Sequence, residues 1–246
     1  MSTPTTDIER AGAGPGARAP IGLAPGVPRE AAGQDAAKYG SSNPVVRRLL
    51  DRWSGRLREV AGPMSGTVVD VGVGEGLCLE RLVGRAAATT ATGADGRARS
   101  VESEPMADIE TRLVGVEYRF DKATVARRLP PLDVVVGDAG MLPFPDDAAD
   151  LVLCIEVLEH LPTVAPAVAE LARVCGGRCV VSVPWEPWFR LGNLGRGKNV
   201  RRFGNDPEHV HAFNPRRLRR ALEQAFDQVR VVPAFPWLIA EGRPRH

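Results

Sequence analysis

The stretch VVDVGVGEG, residues 68–76, sets a carboxylate, Asp70, just ahead of three glycines at alternate positions, Gly72, Gly74 and Gly76. Alternate glycines behind a β-branched run fit a strand that turns sharply into a helix. Without Cβ atoms a ligand can touch main chain there, and the helix that follows presents free N–H groups. A dinucleotide fingerprint requires G-x-G-x-x-G. Here Leu77 stands where its third glycine belongs, so the spacing speaks against NAD. Other polar side chains follow later extended runs: Glu117 in GVEY, Asp138 and Ala139 in VVVGDAG, and Glu156, Glu159 and His160 in CIEVLEHL.

Elements that would position these residues alternate along the chain. Strand character in GTVVDVGV, RLVGVEY, LDVVVGD, DLVLCIEV and GRCVVSVP alternates with helical character in GLCLERLVGR, DKATVARRL and TVAPAVAELARVC. Such alternation predicts a parallel sheet, because right-handed crossovers leave few other packings. A helix PRRLRRALEQAF and two strands, DQVRVVPAF and PWLIAEG, complete an α/β, doubly wound, mostly parallel seven-stranded sheet with helices on both faces. In this class ligands bind beyond the carboxyl ends of the strands, which is where the glycines and acids fall.

Ahead of that core, residues 1–35 are rich in Gly, Ala and Pro without apolar periodicity and are expected to be a disordered tail. Residues 36–62 are expected to form a cap helix, with Asn43 as its cap, Pro44 in its first turn and Gly62-Pro63 as its stop. The remaining residues, 63–246, make the ligand-binding domain. Within it, 85–111 read as an inserted loop, and 185–213 as a lid carrying Trp185, Trp188, Phe189, Leu191 and Leu194.

A chain of 246 residues, 43% hydrophobic, suits one substantial core. The formal net charge of +2 does not by itself call for a polyanionic ligand. Cys78, Cys154, Cys175 and Cys179 form no paired C-x-x-C motif, which argues against zinc and a disulfide framework and reads as a reducing, cytoplasmic setting. No run approaches about 18 apolar residues, so no membrane span is expected.

The D-x-G-x-G-x-G run resembles the first motif of class I S-adenosylmethionine-dependent methyltransferases, within the broad type 11 (UbiE/UbiG-like) group. The resemblance spans about residues 65–226. It implies S-adenosyl-L-methionine as cofactor, with Asp70, Gly72, Gly74 and Gly76 around its amino acid part and Glu117 on the ribose hydroxyls, which two carboxylate oxygens can accept together. GDAGMLPFPDDAADLV is similar to the family's third-strand stretch, which implies Asp138 on the adenine amino group and the Ala139 N–H on a ring nitrogen. Met141 and Leu142 would line the base or fill the core.

Methyl transfer is an in-line displacement at an already activated sulfonium, so the enzyme mainly supplies alignment and desolvation. For a hydroxyl acceptor His160, on a helix after the fourth strand, is the candidate base, with a structural role as its alternative. Glu156 is a candidate for cofactor or acceptor contact, and Glu159 is expected to face solvent or a neighbouring helix. Tyr39 and Arg47 are candidates to cover the cofactor.

Trp185, Trp188 and His209 are the candidate acceptor contacts, and the aromatic lid suits a small or lipid-linked organic molecule. Glu208, His209 and His211 offer no complete ligand set, so no metal is expected. CIEVLEHL replaces the Asn-Pro-Pro-Tyr tetrapeptide of many amide- and amine-methylating relatives, which lowers the case for DNA. Arg196, Lys198, Arg201, Arg202, Arg216, Arg217, Arg219 and Arg220 read as solvated face rather than an RNA surface, with peripheral contact to an anionic lipid as an intermediate reading. A non-catalytic cofactor-binding scaffold would share the same motifs.

Overall fold

The computed structural model describes residues 38–83, 89–92, 98–101, 110–129, 131–195 and 209–245. The tail 1–35 and the stretch 196–208, with Arg196, Lys198, Arg201, Arg202 and Glu208, lie outside the described residues.

Helix α1, Pro44–Ala61, begins where Asn43 Oδ1 accepts from the Val45 N–H at 2.9 Å and ends where the Gly62 N–H donates to the Arg58 carbonyl at 2.8 Å. It buries Leu50, Trp53, Leu57, Val60 and Ala61. Strand β1, Thr67–Val71, then turns through the glycines into α2, Leu77–Leu82. Strand β4, Arg112–Glu117, precedes α3, Phe120–Ala126, and β5, Leu132–Val136. Strand β6, Ala149–Ile155, leads to α4, Ala165–Val174, and β7, Cys175–Pro184. Helix α5, Trp188–Gly195, lies in the lid; α6, Pro215–Leu222, precedes β8, Phe226–Ala234, and β9, Trp237–Pro244.

The sheet runs β5-β4-β1-β6-β7-β9-β8, with β5, β4, β1, β6 and β7 parallel and β9 antiparallel to both β7 and β8. Side chains alternate across its two faces, as extended backbone requires. From β6, Leu151, Leu153 and Ile155 join the cluster under α1 and α2, while Val152 and Cys154 join that under α4 and α6. Both faces being covered explains why the central strands read as near-continuous apolar runs. No helix among the described residues is long and apolar enough to cross a membrane.

One expectation needs correction. The 85–111 segment holds an antiparallel pair, β2, Thr89–Thr92, and β3, Ala98–Val101, in register from Thr89↔Val101 to Thr92↔Ala98. β-branched threonines favour extended backbone, a signal too brief to emerge from the polar composition around it. Residues 84–88, 93–97 and 102–109 lie outside the described residues.

Candidate active site

The glycine turn is fixed from beneath. Gly72 and Val73 both donate to the Val116 carbonyl, at 2.7 and 3.0 Å, which ties the turn to β4. Gly72 has φ +78°, and a Cβ there would lie 2.2 Å from Val157 Cγ2; Gly76, φ +83°, would meet Leu129 Cδ1 at 2.4 Å. Both positions therefore require glycine on conformation and on space. The Gly74 N–H donates to Glu117 Oε2 at 2.8 Å, and the Arg119 N–H donates to Oε1 at 2.9 Å. Each Glu117 oxygen keeps a further lone pair for a ligand hydroxyl.

Glu117 and Asp138 share one sheet edge. Glu117 pairs in register with Val136, and the Gly137 N–H donates to the Glu117 carbonyl at 3.1 Å. Asp138, exposed, accepts from the Gly140 N–H at 2.8 Å, leaving its other oxygen to face outward partners. Ala139 is buried, Leu142 belongs to the core, and Met141 is 77% exposed. Of that apolar pair, only Met141 is open to a ligand.

Asp70 points to the α1 side of β1 with Val68 and is 2% exposed. Its Oδ1 has no hydrogen-bond partner among the described residues. Burial, with repulsion from Glu117, pushes its pKa up to about 8. A carboxyl so placed gains from a cationic neighbour.

At the end of β6, Glu156 takes φ +58° and its N–H donates to the Ser182 carbonyl at 2.7 Å. Its carboxylate accepts from the Lys38 ammonium and from the Trp237 indole N–H. The Lys38 Nζ stands 5.2 Å from the Tyr39 ring centroid and 5.3 Å from those of Trp53 and Trp237. Three aromatic faces and a carboxylate thus enclose a cation. Val157, next to Glu156 in sequence, packs against Gly72, so this enclosure adjoins the glycine turn. The cation over this region is Lys38; Arg47 is exposed.

Glu159 and His160 overturn two readings. They lie in a turn at 158–160, ahead of α4, and the Glu159 side chain is buried, 1% exposed, not solvated. The cause is the lid's return: Val210 and His211 N–H groups donate to the Glu159 carbonyl at 2.8 and 3.1 Å and close over it. Burial, then repulsion from Glu156, holds the Glu159 carboxyl well above its usual range. The exposed His160 meets His209 edge-on, 5.0 Å between centroids; His209 in turn lies 5.7 Å from Phe189 and Phe189 6.0 Å from Trp237.

Trp185 and Trp188 part company. Trp185 packs against the core, and its main-chain N–H donates to the Pro236 carbonyl at 2.9 Å. Trp188, 43% exposed, lies 6.2 Å from Phe235 between ring centroids, Phe235 being 51% exposed in the β8–β9 turn; Leu191, one turn on from Trp188 in α5, is 58% exposed. Arg216, Arg217, Arg219 and Arg220 are exposed on α6, where Arg217 reaches the Ala212 carbonyl and Arg219 the Val229 carbonyl. Sequence reasoning does not single out Lys38 or Trp237, which meet Glu156 across 118 and 81 residues of chain, nor Trp53 beside them; Glu159, expected at solvent or against a helix, is enclosed under the lid's return.

Residues 69–181 match the family described as Methyltransferase domain, type 11. A Mycolicibacterium smegmatis protein described as a probable S-adenosylmethionine-dependent methyltransferase is 35% identical over 125 residues, 49% of this chain and 45% of that protein. Renibacterium salmoninarum demethylmenaquinone methyltransferase is 29% identical over 159 residues, 63% of this chain and 57% of its own. The chain thus spans about half the length of these curated relatives. A SAM-dependent methyltransferase from Thermotoga maritima, described as a possible histamine N-methyltransferase, shares the fold, with TM-score 0.60 and 17% identity over 88% of this chain and 98% of its own. Residues 69–181 thus match a methyltransferase domain family, and the chain is similar to S-adenosylmethionine-dependent methyltransferases.

Proposed function

We propose that this chain moves the methyl group of S-adenosylmethionine to a small or lipid-linked organic acceptor by direct displacement. The observation that carries the reading is the shared edge of β1, β4 and β5, where main chain without Cβ atoms at Gly72 and Gly76 adjoins two acids, Glu117 and Asp138. Glu117 would accept from the ribose hydroxyls, Asp138 and the Ala139 N–H would take the adenine edge, and Asp70 would face the cofactor's cationic amino acid end. Tyr39 and the Glu156–Lys38 pair border the sulfonium end. His160 stands at the acceptor end, where it assists loss of the proton from a hydroxyl nucleophile.

The exposed ring pair Trp188–Phe235 supports an amphiphilic acceptor, since aromatic rings beside a wet edge favour molecules with one apolar end. Incubation with cofactor carrying a radioactive methyl group, against cell extract and extracted lipids, is expected to give an organic-soluble labelled product. Trp188→Ala should lower labelling of that product severalfold and leave cofactor affinity unchanged. Label recovered only in RNA or protein would contradict the acceptor class.

A further inference from the structure

The carboxylate of Glu159 is fully enclosed, and neither oxygen has a hydrogen-bond partner among the described residues. An enclosed, unpaired carboxylate is costly unless it meets a cation or holds a proton. Beside it stand the imidazoles of His160 and His209, and one donor atom from each of the three residues lies within 4.8 Å of the others. His211 does not join them, because its Nε2 is 3.3 Å from the Pro162 carbonyl.

We propose that Glu159, His160 and His209 form a binding site for one divalent first-row transition metal ion at the acceptor end of the active site. Two imidazole nitrogens and one carboxylate oxygen are the donor set that suits zinc, iron, cobalt or manganese, whereas magnesium and calcium favour all-oxygen surroundings. Three protein donors leave coordination positions open, which is the arrangement of a catalytic rather than a purely structural ion. Donor atoms within 4.8 Å of one another are within reach, by side-chain torsion, of the roughly 3.3 Å between ligands of a tetrahedral site. Entry is through His160, the exposed member, while Phe189 backs His209.

The surroundings support a cation. Glu159 feels the negative charge of Glu156 as well as its own burial, and Glu156 is already paired with the Lys38 ammonium. Main-chain bonds from Val210 and His211 to Glu159 hold the lid's return, and with it His209, against the turn. This inference deepens the part given to His160 and rests on that reading for its catalytic use: an ion there would bind an acceptor oxygen and lower its pKa, in place of His160 taking the proton itself.

The test uses the full chain, stripped with chelator and titrated with cobalt(II). Wild type is expected to take up one cobalt per chain with visible d–d absorption, displaced by zinc. Glu159→Gln and His209→Ala should each weaken uptake by about a hundredfold or more. Glu159→Gln replaces an enclosed, unpartnered carboxyl with a neutral amide of the same size, so in the metal-free state it should melt no lower than wild type, and added metal should raise the melting temperature of wild type alone. Should one variant fail to fold, the other decides. Absence of stoichiometric cobalt in wild type, or wild-type uptake by a folded variant, overturns the site. Calorimetric binding of S-adenosylmethionine by the same stripped protein is read separately, so a failed metal site and a failed cofactor reading remain distinct.

Discussion

Gly72→Ala is expected to destabilise the chain by about 2–4 kcal/mol and to weaken S-adenosylmethionine binding at least about tenfold. Two costs add. A left-handed backbone is unfavourable for a residue with a Cβ, by roughly 1–2 kcal/mol, and that Cβ would sit 2.2 Å from Val157 Cγ2. The turn cannot relax outward freely, because Gly72 and Val73 are both bonded to Val116. Val157 belongs to the segment that leads to Glu159 and His160, so the clash propagates from the cofactor side to the acceptor side. Val157→Ala in the Gly72→Ala background should recover part of the stability, the share due to overlap, and leave the conformational share in place. Urea denaturation of the two single variants and the double variant measures that coupling. Strict additivity would show that the two side chains do not meet.

Asp70→Asn should remove a large part of the fall in stability with rising pH. Asp70 is pushed up to about 8 in the folded chain, far above an unfolded carboxyl. Between about pH 4 and 8 the folded state therefore holds a proton that the unfolded state has released, and stability falls as pH rises, by about 1.4 kcal/mol per pH unit from this group. Below that window the contribution is constant. The variant lacks it, so the wild-type stability should drop relative to the variant by about 2 kcal/mol between pH 6 and 7.5. Buried Glu159 shifts in the same direction but is common to both proteins and cancels in the difference. Parallel stability curves would contradict the burial of an unpaired Asp70. A cationic ligand end beside Asp70 should also draw off its proton, so binding at pH 7 is expected to release protons in wild type and not in the variant, a difference visible as buffer-dependent heats.

Much of this arrangement was legible because it is local. Asp70 and the glycines sit on one strand and its turn, and Glu117 and Asp138 each end a β-branched run, so strand character alone places them at one edge. The cap of α1 was equally local, with Asn43 and Pro44 adjacent in sequence. What sequence hid was assembled by tertiary closure. Glu156 is held by Lys38 and Trp237, which lie 118 and 81 residues away. Trp53 read as one more apolar position on a helix face, yet its indole N–H reaches Ser182 Oγ at 3.0 Å and its ring lines the Lys38 enclosure. Glu159 follows an apolar run with the polarity of a surface residue, and only the return of residues 209–211 encloses it. The pairing of His160 with His209 likewise depends on the lid path and on no spacing within either segment.

Calorimetric titration of S-adenosylmethionine into wild type, Glu117→Ala and Asp138→Ala tests most directly whether the two acids hold the cofactor across the β4–β5 edge. Saturable one-to-one binding is expected in wild type, with each variant weaker by about 1–3 kcal/mol, or roughly 5- to 150-fold. Glu117→Ala should lose the more, because it also frees the Gly74 N–H. Unchanged affinity in both variants, or no binding by wild type, would contradict the assignment.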